Sequence, residues 1–261
     1  MDRQTLLSRI ETETGVLSLP QALSEMLQAM DDPEFSADQL AAIILKDPGL
    51  TARILQLANS PFYRHVSEIS TVNQAVQMLG MTTVRCLALS ASIFNIDRFE
   101  KGSGLDVKEF FTTIMTVGAA SQQIATMKKY PAAEEALVTG LLHEIGTMYL
   151  AHHFPKEYRK VIESASLPEQ IADREREVFG IDHCEIGYHL TKKWSLPEAI
   201  CEAIRDHRTP PEEGGNQLTD IVRLAYLLTH NVMEGGVEQE HNPFEKVYAA
   251  GALLGLSQDV V

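Results

Sequence analysis

An all-α fold is predicted for this 261-residue chain by three features of its sequence. Apolar residues recur at helical spacing along almost every segment, small polar residues stand before the apolar runs, and glycines follow them. No segment alternates apolar and polar residues as a half-buried strand would.

Ser36-Ala37-Asp38-Gln39 opens the first well-marked helix, with Leu40, Ile43 and Ile44 as its apolar stripe. The serine hydroxyl accepts from the first free amides while the glutamine reaches back to the amide of the cap. Asp47-Pro48 opens the next, with proline where a missing N–H costs nothing, and Leu50, Ile54 and Leu57 continue it. Asn59-Ser60-Pro61 ends that helix, because a residue before proline avoids helical geometry and Asn tolerates a left-handed turn. Helix termination is therefore the preferred reading of Asn59 over ligand binding. Thr71-Val72-Asn73-Gln74 repeats the cap, Gly80 supplies the stop, and Val84, Leu87, Ala91 and Phe94 carry the period on.

Phe99-Glu100-Lys101-Gly102-Ser103-Gly104 then interrupts the pattern with charge and glycine. It divides an N-terminal helical part, 1–98, from a second helical part, 105–261, and is the candidate hinge. Phe110, Ile114, Val117, Ser121 and Ile124 form the next stripe, and Leu137, Leu141, Ile145 and Met148 line one further helix. After Gly180, the runs Asp182-His183-Cys184-Glu185 and Ser195-Leu196-Pro197-Glu198 read as capped starts, with Ile186 and Leu190, then Ile200 and Ile204, as their stripes. Pro210-Pro211-Glu212-Glu213-Gly214-Gly215 precedes a last stripe of Ile221, Leu224 and Leu228, and Gly235 and Gly255 are further stops.

Composition narrows the function classes. With 44% hydrophobic and 22% charged residues the chain reads as a soluble globular protein. A net charge of −14 repels phosphate backbones, and the basic pairs Lys128-Lys129 and Lys192-Lys193 suit helix C-termini, so nucleic-acid binding is not expected. No apolar run reaches membrane-spanning length, and Met1-Asp2-Arg3-Gln4 does not open a secretory signal. Cys86, Cys184 and Cys201 lack Cys-x-x-Cys spacing and read as small core residues in a reducing cytoplasm. Cys184 beside His183 is not a nucleophile pair, since helix neighbours point about 100° apart.

Leu141-Leu142-His143-Glu144-Ile145-Gly146 is the most informative stretch. Adjacent imidazole and carboxylate groups on a helix both carry lone pairs that can ligate metal. The stretch resembles the core of HD-type metal phosphohydrolases, whose motif is His followed by Asp. Leu19-Pro20, Leu45-Lys46-Asp47-Pro48-Gly49-Leu50-Thr51, Leu57-Ala58-Asn59-Ser60-Pro61-Phe62-Tyr63 and Ile69-Ser70-Thr71-Val72 precede it, with Ala75-Val76-Gln77-Met78-Leu79-Gly80. Phe179-Gly180-Ile181-Asp182-His183, Trp194-Ser195-Leu196-Pro197 and His207 follow. In this order and spacing they resemble the HDOD family, bacterial signalling proteins related to HD hydrolases. The resemblance implies a multi-helix HD-like domain with an N-terminal helical subdomain. It also implies that His143, Glu144, His183 and His207 stand where catalytic relatives hold metal.

The departures matter as much. Glu144 moves the carboxylate one methylene outward from the Asp position. Phe111-Thr112-Thr113-Ile114-Met115 has no histidine where an early metal His belongs. Tyr226 stands where an HD site offers Asp, and Thr147 where a lysine often follows. A plainer reading makes His143 a core histidine bonded to a carbonyl or carboxylate, His183 an exposed first-turn residue, and His207 a cationic helix end. The expectation is a non-catalytic signalling module that binds signalling proteins in trans or a small ligand, with at most a single divalent ion as cofactor. The alternatives are a metal-dependent phosphohydrolase or phosphodiesterase, and a receptor for a phosphorylated, nucleotide-like ligand in the vacated cleft.

Overall fold

The structure is a computed structural model that describes residues 2–12, 25, 35–59, 69–81, 84, 88, 102–165, 167–210, 216–233, 247, 250–252 and 254–255. Leu19-Pro20, Cys86, Leu87, Ala91, Phe94, Gly235 and residues 60–63, 99–101 and 211–215, singled out above, lie outside them. Among the described residues all regular structure is helical, as expected, and none is in a strand. No helix among them is long and apolar enough to cross a membrane. Contacts divide the chain into Thr14–Ile96 and a unit made of Met1–Glu13 with Asp97–Val261. The first helix, α1 (Arg3–Thr12), which the sequence groups with 1–98, belongs to the second of these.

In the unit Thr14–Ile96, helices α2 (Ala37–Leu45), α3 (Pro48–Ala58) and α4 (Val72–Leu79) pack on one another. Leu40 and Ile44 on α2 and Leu50 and Ile54 on α3, the predicted stripes, are fully buried, as is Ala75 on α4. Both predicted capping boxes form: Ser36 exchanges bonds with Gln39, and Thr71 with Gln74. Asp47 Oδ1 accepts from the amide of Leu50, 3.0 Å away, and so caps α3 ahead of Pro48.

Asn59 does more than end α3. Its Nδ2 donates to the carbonyls of Leu55 and Ile69, and its Oδ1 accepts from the amide of Ile69, each at 2.8 Å. One side chain thus joins the end of α3 to the segment that leads into α4. Asn59→Ala is expected to destabilise this unit by about 1–2 kcal/mol, because each lost bond contributes about 0.5–1.5 kcal/mol net and the residue is exposed. Urea denaturation checks this, and an unshifted midpoint would mean that the bridge is idle.

In the other unit the elements are α5 (Val107–Met127), α6 (Ala133–Leu142), α7 (Ile145–His153), α8 (Pro155–Ser164), α9 (Ile171–Phe179), α10 (His183–Lys193), α11 (Glu198–Asp206) and α12 (Gln217–Met233). A single 3-10 turn, Pro168–Gln170, precedes α9. Helix α5 packs along α6 and α12, while α10 packs on α7 and α11. Close approach at α5 and α6 depends on Gly118 and Gly140: a Cβ on Gly140 would lie 2.8 Å from the Cα of Gly118. Helix α1 lies on α10, where Lys193 Nζ donates to the carbonyls of Ile10 and Glu11 and Arg3 pairs with Glu185. The lysine thereby serves carbonyls that a helix end leaves without internal partners.

Two sequence expectations need correction. The predicted single helix through Leu137, Leu141, Ile145 and Met148 is two helices that meet at His143 and Glu144. Its apolar period runs through the break, where His143 keeps helical dihedrals and Glu144, at φ −99° and ψ 19°, leaves them. Ser195 does not cap α11: it turns the chain after α10 at φ 57°, and Pro197 occupies the cap position with no side-chain bond.

Candidate metal centre

Three histidines reach one place by two local devices. His143 and His207 each follow the last residue of a helix, α6 and α11, where carbonyls lack helical partners. His143 Nδ1 donates to the carbonyl of Gly140 over 2.7 Å, and His207 Nδ1 to that of Ile204 over 2.8 Å. Each bond fixes the tautomer and turns the Nε2 lone pair away from the backbone. His183 instead opens α10, capped by Asp182, and both its amide and its Nδ1 meet Glu175 Oε2, at 2.8 and 2.5 Å.

All three histidines are fully buried, and all three Nε2 atoms lack a hydrogen-bond partner. The His207 ring lies 5.1 Å from that of His143 and 5.8 Å from that of His183, centroid to centroid. Glu144 closes the group. Its Oε1 is 3.6 Å from His183 Nε2, its Oε2 accepts from Thr147, and its side chain is 13% exposed. Donor atoms of His143, Glu144 and His207 lie within 4.8 Å of one another.

Charge is distributed to match. Burial pushes His143 down to about 4, and burial with the neighbouring His143 pushes His207 well down, so both imidazoles are neutral near pH 7. For His183 burial is outweighed by the negative groups around it, Glu144 and Glu175 among them, and protonation is favoured. For Glu144 burial is outweighed by the three histidines and Arg208, which hold the carboxyl far below its usual range. A buried polar atom without a partner costs about 1–3 kcal/mol. Three such atoms beside an ionised carboxylate form an arrangement that a metal cation would relieve, displacing the proton of His183. Imidazole and carboxylate are the donor types of four-coordinate divalent sites, and a carboxylate behind a ligating histidine is the usual way to orient it. The residues therefore fit one divalent ion.

Beside this cluster a cleft of about 450 Å³ opens, lined by Glu144, Arg208 and His230 at polar positions and by Leu105, Phe110 and Ile162 at apolar ones. Thr113, Thr147 and Tyr226 also line it. The cleft therefore carries hydroxyls where HD-type relatives are expected to have His, Lys and Asp. Burial pushes the Tyr226 hydroxyl up to about 12, so it stays protonated.

His183 is not the exposed first-turn residue of the plainer sequence reading, and His207 is not a cationic helix end. His183 is buried where α7 and α10 touch at Gly146, at which a Cβ would stand 2.0 Å from the His183 carbonyl oxygen, and His207 is fully buried at the end of α11. His143 does bond a backbone carbonyl, as the plainer reading has it, yet only through Nδ1. Glu175, Arg208 and His230 escape a motif search. Glu175 carries a signal all the same, since it shares the buried face of α9 with Ala172 and Phe179. His230 lies four residues after Tyr226, on the same face of α12.

The HDOD domain model matches residues 16–210, a span that includes His143, Glu144, His183 and His207. The chain belongs to the HDOD family. A candidate phosphohydrolase of Shewanella amazonensis SB2B shares the HDOD fold of this chain, with a TM-score of 0.72 at 23% identity over 96% of this chain and 88% of that one. The MmoQ response regulator of Methylococcus capsulatus str. Bath superposes with a TM-score of 0.53 at 26% identity, over 91% of this chain and 92% of its own. An uncharacterized protein of Treponema pallidum (strain Nichols) is 24% identical over 230 residues, 86% of this chain. The chain spans 44% of that relative's length. Chains named as a candidate phosphohydrolase and as a response regulator thus share this fold.

Proposed function

We propose that this HDOD protein is a signal-transduction module that binds rather than hydrolyses, with one divalent ion held by His143, Glu144, His183 and His207. The observation that carries the reading is three buried histidines with unpartnered Nε2 atoms grouped with Glu144, whose Oε1 lies 3.6 Å from the Nε2 of His183. The hydroxyls of Thr113 and Tyr226 in the adjoining cleft argue against a second ion of the two-metal hydrolase kind. A bound ion would supply Lewis acidity toward a phosphoryl oxygen. The chain's own residues do the rest. Glu175 orients His183, Thr147 holds Glu144, Arg208 offers positive charge to an anion, and Phe110 with Leu105 gives the cleft an apolar wall. The partners of such a module are signalling proteins met in trans, in the cytoplasm, with a nucleotide-like ligand as the small molecule suited to the cleft.

Elemental analysis by mass spectrometry tests the first half of this. Untagged protein is incubated with manganese, iron or zinc, and about one ion per chain is expected in wild type and none in His143→Ala. Absence of any specific metal in the wild type would sink the site. Phosphodiester substrates test the second half, with no turnover expected from the metal-loaded protein. The rival reading, a metal-dependent phosphohydrolase, is favoured by the placement of Arg208 near Glu144, and turnover abolished by His143→Ala would establish it.

A further inference from the structure

Cys184 is the buried core residue that the sequence predicts, and it also has polar neighbours. It is buried, and its Sγ lies 3.9 Å from His207 Nδ1. Donor atoms of His183, Cys184 and His207 lie within 4.8 Å of one another, a second set that adjoins the first. The two sets share His207, and the approach of Glu144 to His183 Nε2 joins them again. A thiol therefore adjoins the donor cluster, on the Nδ1 side of His207 and within 4.8 Å of donor atoms of both His183 and His207. Cys201, by contrast, gives its S–H to the carbonyl of Leu196 at 3.5 Å.

We propose that Cys184 is a metal ligand that joins His183 and His207, and that it makes the site selective for a thiophilic divalent ion of the zinc class. The proposal rests on the reading of the cluster as a metal site and adds a donor to it. Thiolate sulfur binds zinc and related borderline ions strongly, whereas magnesium and manganese favour oxygen donors. On coordination the sulfur electron pair goes to the ion and the thiol proton to solvent, so no oxidant or reductant is consumed. An all-nitrogen-and-oxygen site would lack this preference.

Cobalt(II) loading of the full chain under reducing conditions reads the donor directly. Wild type is expected to show visible ligand-field bands together with a near-ultraviolet thiolate-to-cobalt charge-transfer band. Cys184→Ser should lose the near-ultraviolet band and keep visible bands, while a Cys86→Ser, Cys201→Ser double variant keeps both. Competition titration should show zinc affinity reduced at least about tenfold in Cys184→Ser, with manganese affinity little changed. Circular dichroism establishes that each variant is folded, and the wild-type spectrum tests the proposal even if one is not. Ligand-field bands without charge transfer in wild type would overturn the thiol ligand and leave the metal site standing. No bound cobalt at all would overturn both.

Discussion

Gly146→Ala is expected to lower the stability of the unit formed by Met1–Glu13 and Asp97–Val261 by about 3 kcal/mol or more. A Cβ at this position would meet the carbonyl oxygen of His183 at 2.0 Å, its carbonyl carbon at 2.7 Å and its Cα at 2.9 Å. These are backbone atoms, so no rotamer change relieves the clash, and α7 and α10 must separate. For a unit of this size the loss corresponds to a fall in melting temperature of roughly 6–12 °C. The same displacement moves His183 relative to Glu144 and His143, so metal binding should weaken along with the fold. Thermal and urea denaturation of the whole chain decide it: a variant that unfolds with wild type would mean that the helices are free to part here.

Glu175→Ala should cost about 3–5 kcal/mol, the usual penalty for removing one member of a buried charged pair. The fully buried carboxylate accepts from the His183 amide and meets His183 Nδ1, and it accepts from the Tyr158 hydroxyl at 3.3 Å. Without it the amide and Nδ1 of His183 stay in the interior without their acceptor. Glu175→Gln keeps the volume and some of the bonding, and so separates fold from site. It should lose roughly 10- to 100-fold in zinc affinity, the range seen when the partner behind a ligating histidine is removed. At a fixed excess of zinc, a tenfold loss lowers the metal-dependent stabilisation by about 1.4 kcal/mol. Paired denaturation curves with and without zinc measure both effects. Equal zinc affinity in Glu175→Gln and wild type would refute the orienting role of Glu175.

The legible part of this protein is the part decided within a few residues. Ser36 with Gln39, Thr71 with Gln74, and Asp47 ahead of Pro48 form their caps as read, because a cap joins groups three positions apart. The buried faces of α2, α3 and α5 follow from side-chain spacing in the same way. Ser195 shows where this fails. Its run has the letters of a capping box, but the chain between α10 and α11 needs a left-handed residue at that point, and the serine is used for the turn. His143 and Glu144 show a second failure, since the apolar period runs on through a break in the helix.

The candidate site divides along the same line. Its four residues are readable as a resemblance, from His143-Glu144 and the histidines after Asp182 and Asp206, but not as a geometry. Glu175 sits among Arg174, Arg176 and Glu177, in a stretch whose charge suggests solvent, and only its register on α9 places it inside. Cys184 follows His183 directly, a neighbour that helix geometry turns away, yet the position of α11 brings His207 to its sulfur.

From its sequence alone this protein is determined to be all-helical, with the caps at Ser36, Asp47 and Thr71 and its HDOD membership, because each depends on local pattern or on ordered motifs. The tertiary structure alone decides that three buried histidines gather with one carboxylate, that Glu175 backs His183, and that a thiol adjoins them. Those relations join α6, α7, α9, α10 and α11, and they depend on how closely the helices cross. The absence of a side chain at Gly146 permits one such crossing, and no local pattern encodes that distance.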